Sequence, residues 1–112
     1  MVISVLQIIA AIGTILTGVV SLLWPRSVTG FTGLNPAGGR GITEIRAVLG
    51  GGFVGLGAAA LAFGEGAYLA LGVMYLAVAA IRAISMVVDK SVVQSNIISL
   101  IVEIAFGVVL VL

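Results

Sequence analysis

Thr43-Glu44-Ile45-Arg46-Ala47-Val48-Leu49-Gly50-Gly51-Gly52-Phe53-Val54-Gly55-Leu56-Gly57 is the stretch on which the reading of this chain turns. Two opposite charges open it, and three successive glycines carry it into a further apolar run. The whole has a bilayer-spanning length of about twenty residues. Gly51 and Gly55 stand four apart, flanked in the same register by Ala47 and Ala59, which predicts a smooth seam on one helix face. Small residues let helix backbones approach closely in lipid, where packing replaces the hydrophobic effect. The segment therefore reads as a spanning helix pressed against a neighbour, with Glu44 and Arg46 at its mouth.

Composition extends that reading to the entire chain. Of 112 residues, 62% are hydrophobic and 8% charged, and the mean hydropathy is +1.38. A small soluble domain needs a far more charged surface, so the fold class is an all-α membrane protein of one domain. A net charge of +1 supplies no basic patch and argues against nucleic acid as a partner. The absence of Cys and His excludes disulfides, thiol nucleophiles, imidazole catalysis and the usual zinc sites. It also removes the usual ligands of haem and iron–sulfur clusters. Other cofactors stay open: a hydrophobic pigment, quinone or sterol has Tyr68, Tyr75 and Phe106 to pack on.

Outward from the central stretch, four spans are predicted at about 2–24, 44–63, 67–88 and 93–112. The first is an uncharged run, longer than a signal-peptide h-region and without a preceding cation, so it reads as a span rather than a cleaved leader. Gln7, Ala11, Thr14, Gly18 and Ser21 recur at alternating spacings of four and three, which puts them on one face as a packing surface. Trp24 suits the membrane interface, and Pro25 stops the helix. The connection 25–43 is rich in Gly and Pro, and its Phe31 and Leu34 suggest that it lies on the membrane surface. Gly38-Gly39-Arg40-Gly41 lacks the Lys-Ser/Thr ending of a phosphate-binding loop. Arg26 and Arg40 instead suit positive-side anchoring or an anionic lipid headgroup.

Thr43 is placed to cap the second span, with Glu44 in its positive first turn. Gly64-Glu65-Gly66 reads as a tight turn that makes spans two and three antiparallel neighbours, and Asp89-Lys90 as a second polar turn. The last span carries Ser95, Ser99, Glu103 and Gly107 at intervals of four, a single polar and small face. The expected architecture is four transmembrane helices in an antiparallel bundle. All five cations then fall on one side. By the positive-inside rule, loops 25–43 and 89–92 are cytoplasmic and both termini lie on the outer side of a multi-pass plasma-membrane protein.

Two charges sit deep in the apolar spans. At about 1.5 Å per residue, Arg82 is roughly 9 Å and Glu103 roughly 15 Å inside the cytoplasmic helix ends. An isolated carboxylate at such depth costs at least about 2.5–3.5 kcal/mol, so Glu103 needs protein, water, a cation or a proton. Glu44, Arg46, Arg82 and Glu103 form the candidate charge or ligand cluster. Gly51, Gly55, Ser95, Ser99 and Gly107 form the candidate packing seam. If the charges pair, the chain is a non-enzymatic helical module, an accessory subunit or a homo-oligomer, whose partners are membrane lipid, itself or other membrane subunits. If they line a pocket, it is a small transporter or a binder of lipid or another small ligand, with Glu103 as the proton or ion site. No base is placed to activate the hydroxyls of Thr14, Ser95 or Ser99, so the chain does not read as an enzyme.

Thr43-Glu44-Ile45-Arg46-Ala47 with Gly50-Gly51, Arg82 ahead of Asp89, and Glu103 in the last span together resemble a bacterial four-helix membrane family, domain of unknown function 4345. The likeness spans most of the chain. It departs at Leu49, where an aromatic is expected, and at Lys90, where glycine often follows the aspartate. The resemblance implies the four-span architecture and no particular reaction.

Overall fold

The computed structural model of the protein describes residues 2–112 and is helical throughout, with no strand among the described residues. Four helices are long and apolar enough to cross a membrane: α1 (Val2–Leu23), α3 (Gly38–Phe63), α4 (Glu65–Val88) and α5 (Gln94–Val111). A single short turn of helix, α2 (Thr29–Thr32), sits in the connection between α1 and α3.

The small-residue stripe on α1 is its packing face: Ala10, Ala11, Thr14, Gly18 and Ser21 are all buried, and Gln7 donates to the Val109 carbonyl of α5 at 3.2 Å. Against α3 the backbones touch. A Cβ on Gly18 would lie 2.7 Å from the Gly50 carbonyl, and one on Gly57 would lie 2.6 Å from Ile15 Cγ1 and 2.9 Å from the Ala11 carbonyl. Helix α4 meets α5 through Gly72 against Leu110 and Val111, and through Gly107 against Leu76. Only glycine admits approaches this close without displacing the partner.

Three expectations from the sequence are corrected. First, Thr43 does not cap the second span. That helix begins five residues earlier at Gly38, and the Thr43 hydroxyl donates back to the Gly39 carbonyl at 3.0 Å. Second, the turn between α3 and α4 is Gly64 alone (φ +74°), while Glu65 already belongs to α4. Third, the seam of α3 does not lie on Gly51 and Gly55. Both are exposed, and a Cβ on Gly55 would meet nothing. The buried positions are Ile45, Gly50, Gly57 and Ala60. The cause is a π-helical stretch over Ile45–Gly52. There the ladder runs i→i+5, so Ile45 and Gly50, five apart, share a face that a 3.6-residue period would separate.

The connection after α4 closes with a left-handed residue. Asp89 caps the helix, Lys90 takes φ +53°, and the amides of Lys90 and Ser91 return to the carbonyls of Val87 and Met86. This is the paired 5→2 and 6→1 closure that glycine usually provides.

Candidate functional site

Arg82 leaves α4 within two turns of its C-terminal end, facing α5. Its Nε donates to Glu103 Oε1 and its Nη2 to Glu103 Oε2, both at 2.7 Å, a two-pronged guanidinium–carboxylate pair. Nη1 donates to Asn96 Oδ1 at 2.9 Å, and the Asn96 amide donates to the Ser91 carbonyl at 2.9 Å. One side chain therefore ties α4 to two levels of α5, and through Asn96 to the loop between them. Glu103 is 9% exposed, while the Arg82 side chain keeps 30% of its surface. Both charges are satisfied by protein, which removes most of the penalty for a bare charge at this depth.

The four-residue charge cluster expected from the sequence is not one cluster. Arg82 and Glu103 are brought together. Glu44 instead pairs with Arg40, one helical turn earlier on an exposed face of α3. Arg46 is exposed and joins neither pair. The early start of α3 is the reason: with Gly38–Glu44 helical, Arg40 and Glu44 stand at i,i+4, where opposite charges meet.

A second polar link lies deeper. Tyr75 of α4 and Thr14 of α1 approach at 2.6 Å between oxygens. The Thr14 hydroxyl already donates to the Ala10 carbonyl at 2.8 Å, so the Tyr75 hydroxyl is the donor to Thr14. Phe106 of α5 stands edge-on to the Tyr75 ring, with centroids 5.6 Å apart at 88°. Phe106 also reaches α1, where a Cβ on Gly13 would lie 3.0 Å from its ring.

Beyond Phe106 the two helices part. Between Thr17 and Ser21 of α1 and Ser99 and Glu103 of α5 lies a cavity of about 390 Å³, roofed by Phe31 of α2 and walled by Phe53 of α3. A smaller one of about 260 Å³ adjoins it, sharing Thr17, Phe53, Ser99 and Glu103 and reaching Tyr75 and Phe106. The hydroxyls of Thr17 and Ser21 donate to carbonyls of their own helix, at 2.9 and 3.1 Å. Their oxygens therefore remain as acceptors. Of the residues expected to form a packing seam, Ser99 lines this cavity and Gly107 makes the tight contact with Leu76. Asn96 carried no periodic signal in the sequence, and its place one turn into α5 is what brings it under Arg82. Among the described residues no group of three acidic, His or Cys side chains stands ready to hold a metal.

No protein-family model matches this chain significantly, and neither does any curated protein or solved structure.

Proposed function

We propose that this chain is a non-enzymatic, multi-pass module of the plasma membrane, with the four-span architecture of domain of unknown function 4345, which its sequence resembles. In this reading its four spans alternate in direction, both termini lie outside, and loops 25–43 and 89–92 face the cytoplasm. The carrying observation is the Arg82–Glu103 pair. Both carboxylate oxygens are engaged by one guanidinium, so the charges serve to dock α4 on α5 and do not wait for a transported ion. Membrane lipid surrounds the spans. Gly52 and Gly55 of α3 meet nothing within the chain and Gly51 meets only the Arg46 carbonyl of its own helix, so this face is offered to a second copy or to another membrane subunit.

The chain has no native cysteine, so single-cysteine reporters give a clean test. Cysteines placed at Gly51 and Gly55 should form disulfide-linked dimers in native membranes, or crosslink to a partner subunit. Monomers only, from both positions and with a lipid-permeant oxidant, would refute association through this face. A membrane-impermeant maleimide applied from outside should label a cysteine at Gly66 and leave one at Ser91 unmodified. The opposite pattern would invert the topology.

A further inference from the structure

We propose that the cleft between α1 and α5 is a lateral binding site for a neutral, hydroxyl-headed amphiphile of the long-chain alcohol class. This goes beyond the structural role of the ion pair and does not depend on oligomerisation.

Three features of the cleft carry the inference. The first is its shape. Phe106 wedges α1 from α5 at Gly13, and past that wedge the helices leave a cavity of about 390 Å³. That lies within the range of pockets that enclose a small ligand, about 300–1,000 Å³. The second is its mouth. Val20, Ile98 and Val102 edge the opening and are exposed on the flanks of α1 and α5. In two spanning helices these flanks meet acyl chains, so a chain enters sideways, past Phe31 and Phe53, without crossing water.

The third is the chemistry of the inner wall. Glu103 and Arg82 both line it, and their charges cancel. An alkylammonium head would meet the guanidinium, and a carboxylate head would meet Glu103. The donors and acceptors left over are mixed. The carboxylate has roughly four acceptor sites, and Arg82 occupies only some of them. Thr17 and Ser21 present oxygens whose protons are already committed, and Ser27 and Ser99 add further hydroxyls. The guanidinium has five N–H groups in all, so donors also remain beyond its bonds to Glu103 and Asn96. A hydroxyl both donates and accepts, carries no charge, and fits such a wall. An ammonium only donates, and a carboxylate only accepts.

The test uses the full chain in lipid nanodiscs and a hexadecanol probe bearing a diazirine within the first few carbons of its hydroxyl end, the end that meets Ser99 and Glu103 in the cleft. Matched probes carry an ammonium, a carboxylate or no head group. On irradiation the alcohol probe should label the peptide containing Ile98–Glu103. At equal concentration it should do so about fivefold more than the headless probe, the difference that one net hydrogen bond makes, and a large excess of unlabelled hexadecanol should suppress the labelling. Ser99→Phe, which fills the cleft from a wall residue outside the ion pair, should suppress it to the same extent. Equal labelling by the headless probe, or no suppression by excess hexadecanol in the unmutated protein, would overturn the proposal. Stronger competition by hexadecylamine or palmitate than by hexadecanol would overturn the neutral head group. None of these outcomes bears on the Arg82–Glu103 pair as a docking element, which is tested separately by the stability of its variants.

Discussion

Replacing both members of the ion pair should disturb the protein less than replacing one. Arg82→Leu leaves a carboxylate that is 9% exposed with no other cation among its observed partners. Removing one side of a buried pair costs about 3–5 kcal/mol. Glu103→Leu leaves the guanidinium instead, without two charged hydrogen bonds that are each worth about 1.5–3 kcal/mol. Its side chain keeps 30% of its surface and its bond to Asn96, and a long cationic chain can turn toward the interface. We therefore expect the smaller loss there, about 2–3 kcal/mol. The double variant strands no charge and puts apolar volume against apolar volume, so it should lie within about 1 kcal/mol of the parent. From the low ends of the single losses, about 3 and 2 kcal/mol, and about 1 for the double variant, the coupling in the double-mutant cycle is at least about 4 kcal/mol. Reversible unfolding in mixed maltoside–dodecyl sulfate micelles, followed by circular dichroism, reads all four proteins. A coupling below about 0.5 kcal/mol, or a double variant as unstable as the worse single one, would refute the claim that the pair holds α4 on α5.

Other expectations follow from single contacts. Gly57→Ala drives a methyl into Ile15 and the Ala11 carbonyl and should cost about 2 kcal/mol or more. Gly55→Ala meets open space and should stabilise α3 by up to about 1 kcal/mol; the same micelle assay ranks the two. Tyr75→Phe removes the donor to Thr14 and should cost about 1 kcal/mol, with the Tyr75–Phe106 ring packing kept. Lys90→Gly relieves a left-handed residue and should raise the midpoint of unfolding, by about 1 kcal/mol in stability.

The four spans were legible in the sequence because each is a long apolar run with few charges, and the buried face of α1 because its small residues keep a regular 3.6-residue spacing over several turns. For Arg82 and Glu103 the sequence showed two charges deep in adjacent spans and left open whether they pair or face a guest; the two-pronged contact between them is read from the structure. What escaped reading depended on local geometry that breaks the period. Gly38-Gly39-Arg40-Gly41 is poor helix sequence, yet it joins α3, which moved Thr43 from cap to interior and handed Glu44 to Arg40. The buried glycines of α3 do not follow a uniform 3.6-residue spacing because Ile45–Gly52 is π-helical. Neither the role of Asn96, which depends on how Arg82 reaches the first turn of α5, nor the parting of α1 from α5 beyond Phe106 leaves a trace in composition.

The π segment also alters what a missing residue would do. In an ordinary span, deleting one residue turns everything beyond it by about 100° and scrambles the contact surface. A π turn is equivalent to an α-helix already holding one surplus residue, so Ile45–Gly52 behaves like a removable shim. Excising Gly51 or Gly52 should let the stretch tighten to α geometry while Ile45 and Gly57 keep their aim at α1. The span would lose only about 1.5 Å of length. A deletion in the middle of a tightly packed helix would then be better tolerated than the addition of a single methyl at Gly57.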